Sequence, residues 1–212
     1  MENTDKKPKT RDADATKARI LAAAKSEFAR LGLGGARVDE IAERANANKR
    51  MIYHYFGGKE ALFRTVLVEA YLDIREAEQQ LNLDHLPPIQ ALETLVRFTW
   101  NYYLDNPEFI TLVNSANLHK GRHLEGSERL RKASKGLIDL VQNILDRGVA
   151  SGDFRPNINA VQLNITIAAI GFYYLTNRFT GEILFERDYM EPESLRSRED
   201  FNLETIKRLV MA

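Results

Sequence analysis

The stretch ANANKRMIYHYFGGKEAL, residues 45–62, sets two adjacent cations, a histidine and two tyrosines within eight residues, Lys49 to Phe56. It contains no nucleophile with a neighbouring base, no metal cage and no phosphate loop. On a helical wheel of about 100° per residue, Met51, Ile52, Tyr55 and Phe56 take one arc, and Lys49, Arg50, Tyr53 and His54 take the other. A helix divided this way packs its apolar arc inward and projects a donor-rich, partly aromatic surface of the size that enters a major groove. Arg and Lys donate to guanine O6 and N7, while tyrosine and histidine reach phosphate oxygens and fix the register of the helix.

The neighbouring sequence supplies the frame for such a helix. Val38, Ile41, Ala42 and Ala45 form a short apolar stripe, and Asn46-Ala47-Asn48 follows with side chains suited to turns and caps. Asn48 is the expected N-cap of the helix from Lys49 to Phe56 and a candidate DNA contact itself. Together they spell a helix-turn-helix at about residues 38–57, whose second helix reads the groove. Upstream, Ile20, Ala23, Ala24, Phe28 and Leu31 recur at helical spacing until Gly32-Leu33-Gly34-Gly35 ends the run. Downstream of Gly57-Gly58, Leu62, Val66, Leu67, Ala70, Leu72 and Ile74 predict a longer fourth helix towards Gln80. Residues 1–15 are polar, contain Pro8, and read as a flexible arm.

Beyond residue 82 the patterns stay helical. Pro87-Pro88 closes a linker, Ile89 to Leu104 reads as one helix, and Asn106-Pro107 starts another. A long helix is expected from Ser127 to Val149, weakened in its middle by Gly136. The most apolar segment runs from Asn157 to Phe179. Residues 180–200 hold charge, Gly181 and Pro192 and read as an irregular connection before a last helix from about Phe201 to Met211.

Composition narrows the class of function. The chain has 212 residues, 44% of them hydrophobic and 28% charged, which is ordinary for a folded globular protein. It has no cysteine, so disulfides, thiolate catalysis and cysteine-based zinc sites are excluded, and a cytoplasmic location is the simplest expectation. No apolar leader or membrane span is legible. Net charge is zero overall, yet residues 1–60 carry +4 and the remainder −4. The basic front points to an anionic partner at that end.

These features together resemble the DNA-binding domain of the TetR family of bacterial transcriptional regulators. The resemblance rests on Phe28-Ala-Arg-Leu-Gly32, then Ile41-Ala42-Glu-Arg-Ala45, then Ile52-Tyr53-His54-Tyr55-Phe56, then Lys59-Glu60-Ala61-Leu62, in that order and spacing. It implies an all-α chain with a DNA-binding domain over residues 16–76, joined through the fourth helix to a helical-bundle domain over residues 77–212 for ligand binding and dimerisation. It also implies that Lys49 and Arg50 meet base edges, that Tyr53, His54 and Tyr55 meet the backbone, and that Lys59 meets a phosphate at a helix start, where free N–H groups favour one. The usual Ala-Gly-Val-Ser turn is replaced by Ala45-Asn46-Ala47-Asn48. Arg37 stands where a hydroxyl residue is frequent and becomes a candidate phosphate contact.

Other motifs resolve into structure. Gly32-x-Gly34-Gly35 lacks the last glycine of a dinucleotide loop, since Arg37 occupies it, and no strand precedes it. His119 and His123 are four apart, but Gly121 intervenes and no third ligand follows, so no metal and no cofactor are expected. No serine sits in a nucleophile elbow. In the second domain, Phe98, Trp100, Tyr102, Tyr103, Phe109, Phe172 and Tyr173, with Asn114, Asn117 and His119 as polar partners, are candidate contacts for a small-molecule effector. Leu163, Ile167, Ile170 and Tyr174 are candidate contacts of a homodimer, because the helix that bears them is apolar all round. The expected function is a repressor that binds operator DNA as a dimer and leaves it when an effector binds. An effector-independent regulator or activator is the first rival, and an enzyme on a helical scaffold the second.

Overall fold

The computed structural model describes residues 8–212, with side chains from residue 12 onward. The expected arm at residues 1–15 lies partly outside the described residues, and from Pro8 the backbone is already helical. The first helix, α1, is Pro8–Gly35, and its regular course is interrupted at Gly32, where φ is 65°. That positive φ is open to glycine at no steric cost, so the glycine cluster bends the chain without stopping it. Then come α2 (Val38–Arg44), α3 (Lys49–Phe56) and α4 (Lys59–Gln79). The later helices are α5 (Pro88–Asp105), α6 (Pro107–Leu118), α7 (Glu128–Ser151), α8 (Ala160–Thr176), α9 (Arg178–Phe185) and α10 (Pro192–Val210). Among the described residues there is no strand, only an isolated bridge between Phe154 and Met211.

The described chain divides into two compact units. The first joins residues up to Ala70 with Thr111–Gly126, and the second joins Tyr71–Ile110 with Ser127–Ala212. The end of α6 and the segment after it join α1 to α3 and the start of α4 in the first unit. The first unit's core is built from Ile20, Ala24 and Phe28 of α1, Ile41 of α2, Ile52 of α3 and Leu62, Phe63 and Leu67 of α4, all fully buried. Phe28 and Phe63 meet edge to face with ring centroids 5.1 Å apart. Leu33 N–H donates to Ser115 Oγ at 3.4 Å, tying the bend of α1 to α6.

In the second unit, Leu92, Leu95 and Val96 of α5, Val141, Ile144 and Leu145 of α7, Leu163 and Ile167 of α8 and Leu203 and Ile206 of α10 share one core. Caps mark the helix starts. Ser127 Oγ accepts from Leu130 N–H, and Asn159 Oδ1 from Gln162 N–H. Helix α7 passes through Gly136 unbroken, because its packed face, Leu137, Val141, Ile144 and Leu145, outweighs a propensity cost of about 1 kcal/mol. The linker at 82–88 is pinned: the guanidinium of Arg147 donates to the carbonyls of Leu83, Asp84 and Leu86 at 2.7–3.1 Å.

The irregular connection expected at 180–200 is largely helical. Pro192 sits at the first turn of α10, where its missing N–H costs nothing, and the charges of Arg196 and Asp200 are the exposed face of that helix. No helix among the described residues is long and apolar enough to cross a membrane.

Candidate nucleic-acid interface

The helix-turn-helix is assembled from the sequence features that announced it. Arg19 of α1 donates to the carbonyl of Ala45 at 3.2 Å. Glu27, fully buried, pairs with Arg30 at 3.0 Å and with Arg44 of α2 at 3.7 Å. These contacts hold α2 on α1. The turn passes through Asn46 at φ 47°, a left-handed conformation that asparagine tolerates. Asn48 caps α3, its Oδ1 accepting from Arg50 N–H at 2.9 Å. Gly57 ends the helix at φ 84°.

Helix α3 is anchored by Ile52, which is fully buried, while Met51, Tyr55 and Phe56 are half-buried. Lys49, Arg50, Tyr53 and His54 are exposed, and Arg37 is exposed just ahead of α2. The two arcs of the wheel are therefore an inner and an outer face. Tyr55 turns partly under its neighbours, with Lys17 Nζ 5.4 Å from its ring centroid.

Two of the cations are already occupied. Lys49 Nζ lies 2.8 Å from Asp39 Oδ1 of α2. Their hydrogen bond lowers the Asp39 carboxyl below the usual range and raises the Lys49 ammonium. Lys59 Nζ donates to the carbonyls of Ala36 at 2.9 Å and Gly34 at 3.4 Å, so the side chain assigned to a phosphate also staples the α1–α2 connection to the start of α4. An ammonium has three donors, which leaves one for an anion.

Residues 20–66 match the family described as bacterial regulatory proteins, tetR family, and residues 88–206 match the tetracyclin repressor-like C-terminal domain. The chain belongs to the TetR family. It is a DNA-binding regulator of transcription. Over 172 residues it is 40% identical to the HTH-type transcriptional repressor NicS of Pseudomonas putida, covering 81% of each chain. It is 30% identical over 148 residues to the HTH-type transcriptional regulator RutR of Escherichia coli, covering 70% of this chain and 68% of that protein. Among solved structures, the transcriptional regulator SCO4942 of Streptomyces coelicolor is similar, with a TM-score of 0.67 and 26% identity over 92% of this chain and 98% of that one.

The residues expected to contact an effector in this TetR-family chain divide between the units. Asn114, Asn117 and His119 belong to the first, and the seven aromatics to the second. Asn117 Nδ2 donates to Val113 O of its own helix, and the His119 ring faces that of His123 at 5.6 Å. Among the described residues no group of three or more His, Cys, Asp or Glu could hold a metal ion. Trp100, Tyr103 and Phe109 are buried, whereas Tyr173 is 70% exposed on the outer side of α8. The remaining rings form a chain of contacts: Phe98 on Tyr102, Tyr102 and Tyr103 on Phe109, and Tyr103 on Phe172, with centroids 5.8–6.0 Å apart. Tyr71 of α4 joins them at 5.4 Å from Phe109.

What sequence reasoning missed lies beside that chain. Glu78 of α4 is buried and pairs at 3.1 Å with Arg75, whose side chain is 14% exposed. A signal was present, because Glu78 continues the buried stripe Leu67, Ala70 and Ile74 of its helix at spacings of three and four.

The candidate dimer residues all lie on α8. Leu163 and Ile167 are 1% and 3% exposed and belong to the protomer's own core. Ile170 packs against that core. Tyr174 is held within its unit, stacked on Tyr189 at 4.5 Å and donating to the Tyr189 carbonyl. It also lines a cleft of about 390 Å³ with Arg187, Arg198 and Phe201. The outward stripe of α8 is instead Val161, Ile165, Ala169 and Tyr173, all exposed.

Proposed function

We propose that this protein is a homodimeric repressor that grips a two-fold operator with α3 of each subunit and releases it when a small molecule occupies the second unit. One observation carries the reading: α3 is fixed from inside by Ile52, while Lys49, Arg50, Tyr53 and His54 are exposed on its outer face. In this reading Arg50 and Lys49 take base edges. Tyr53, His54 and Tyr55 take the sugar-phosphate backbone, and Arg37 and the spare donor of Lys59 take phosphates. The name of the NicS relative, a repressor, supports the sign of regulation.

The assembly follows from geometry and from exposed apolar surface. Two recognition helices must lie about 34 Å apart to enter successive major grooves, which calls for a two-fold dimer. The stripe of Val161, Ile165 and Tyr173 on α8, with Phe201 on α10, is the apolar surface proposed to be covered by the second copy. Release requires an effector that binds the DNA-free state more tightly than the DNA-bound one, and the two ligands then oppose each other equally. The protein acts by binding, without catalysis.

The test is capture of bound DNA fragments from the genome of the source cell, followed by titration of the recovered site and a scrambled version. Discrete sites with two-fold half-sites, bound far more tightly than the scramble, are the expected result. Uniform binding to both would overturn the reading. A regulator without an effector is the outcome if no small molecule changes the affinity of the recovered site.

A further inference from the structure

The buried pair on α4 is under-satisfied. Arg75 and Glu78 meet through a single contact, Nη2 to Oε1 at 3.1 Å, with side chains 14% and 5% exposed. Arg75 Nε–H and Glu78 Oε2 are both buried with no hydrogen-bond partner. A stranded donor and a stranded acceptor on one ion pair each carry the desolvation cost of an unmade bond, and a partner that offers an acceptor and a donor side by side removes both.

The surroundings define that partner further. Both charges act on the phenols of Tyr102 and Tyr103, and Arg75 acts on Tyr71 as well. Burial raises all three phenols, so each stays a neutral hydroxyl. Tyr102 donates to Asp73 Oδ2 at 2.6 Å. Tyr71, Tyr102 and Tyr103 also pack on Phe109. The pair thus acts on neutral phenols, of which Tyr71 and Tyr103 pack on the buried ring of Phe109. An anion would meet Glu78, and a cation would meet Arg75, whereas a neutral flat molecule opposes neither.

We propose that Arg75 and Glu78 form the polar anchor of the effector site, and that the effector is an uncharged planar ring bearing a carbonyl next to an N–H, a lactam or carboxamide. The carbonyl accepts from Arg75 Nε–H, the N–H donates to Glu78 Oε2, and the ring lies against Tyr71, Tyr103 and Phe109. This rests on the reading of the chain as an effector-released repressor and names the chemistry of its effector.

The experiment uses the full-length protein at pH 8 and a matched panel at millimolar concentration: 2-pyridone, 2-quinolone and benzamide against benzoate, 2-naphthoate and benzylamine. Calorimetry and melting temperature report binding. The comparison variant is Arg75→Leu with Glu78→Leu together, which removes both charges at once and so leaves no uncompensated partner. Its folding is verified by helicity and by unchanged affinity for DNA. The expected result is binding of at least one lactam or carboxamide to the wild type, weakened about tenfold or more in the double variant, as the loss of hydrogen bonds to charged groups requires. Equal binding in both proteins, a preference for the carboxylates or the amine, or no binding by any lactam or carboxamide overturns the proposal. DNA titrations run in parallel keep the two readings apart. A wild type that binds the lactam but no specific DNA retains the anchor and refutes the repressor, and one that binds operator while ignoring every lactam does the reverse.

Discussion

His123 Nε2 lies 2.7 Å from Glu60 Oε2, so a segment 63 residues further along the chain is fastened to the first turn of α4, just after α3. The imidazole is buried against Phe63, ring centroids 4.9 Å apart. Arg122 reaches the other oxygen of Glu60 at 3.5 Å, and Arg64 holds the carbonyl of Glu125. The DNA-binding unit therefore carries its own stretch of the later chain.

Replacing Glu60 by Ala is expected to loosen residues 119–126. Hydrogen exchange should speed up there, with little loss of global stability, because the Glu60 side chain is 62% exposed. The hydrogen bond from His123 holds the Glu60 carboxyl below its ordinary value of 4.5. A lowered carboxylate stabilises above its ordinary pKa and loses that contribution as pH falls through the lower folded value. The acid limb of the stability curve, below about pH 4.5, should be shallower in the variant. Unchanged exchange at 119–126 would show that the contact does not hold the segment.

The pairing of Lys49 with Asp39 limits a cation that is assigned to DNA. Asp39→Asn frees the ammonium and removes a negative charge from the DNA-facing side, so affinity for operator and scrambled DNA should both rise. Lys49→Ala should weaken operator binding more than scrambled binding. Arg50→Ala, on the same face, should cost about 1–3 kcal/mol of discrimination. Titrations at one fixed salt concentration check all three, and an unaltered ratio of affinities in Arg50→Ala would remove that residue from base reading.

Lys59 has two roles that separate by measurement. Loss of its phosphate contact in Lys59→Ala should reduce the salt slope by about 0.9. Loss of the bonds to Ala36 and Gly34 should lower the melting temperature of the DNA-free protein. A lower melting temperature with an intact slope would leave Lys59 as a staple alone.

On α8, neighbouring substitutions should fail in different ways. Ile165 is 52% exposed and Ile167 is 3% exposed. Ile165→Glu should give a folded monomer by sedimentation. Ile167→Glu should unfold the second unit, because a buried unpaired charge costs several kcal/mol. A dimer that survives Ile165→Glu at low micromolar concentration would move the interface off this stripe.

Glu78 sets a pH dependence of the opposite sign to that of Glu60. Burial pushes its carboxyl from 4.5 to about 7, with Arg75 opposing. The folded chain then binds the proton more tightly than the unfolded chain, so this group's contribution to stability falls as pH rises from about 4.5 to 7. Glu78→Gln has no such titration. Its stability relative to wild type should rise across that interval, by up to roughly 3 kcal/mol. Denaturant melts at pH 5 and pH 8 measure the difference.

The helix-turn-helix was legible because its determinants are local. The alternation of faces in Lys49 to Phe56, the cap at Asn48 and the stop at Gly57 act over a turn or two of backbone, and each is written within a few residues of where it works. The start of α10 was misread although Pro192 is also local, since a proline and a run of charge fit either a loop or the first turn of an exposed helix.

By itself, the sequence determined the all-helical class, the family and the outward face of α3. Only tertiary structure decided which side of α8 is core, because Leu163, Ile165 and Ile167 are equally apolar and periodicity has no phase where polarity does not vary. It likewise decided that residues 111–126 join the DNA-binding unit and that Lys49 and Lys59 have partners at Asp39, Gly34 and Ala36. It brought Arg75 and Glu78 beside the tyrosines. These are contacts between residues far apart along the chain or on different helices, and their energies depend on burial and distance, which the packing of whole helices sets.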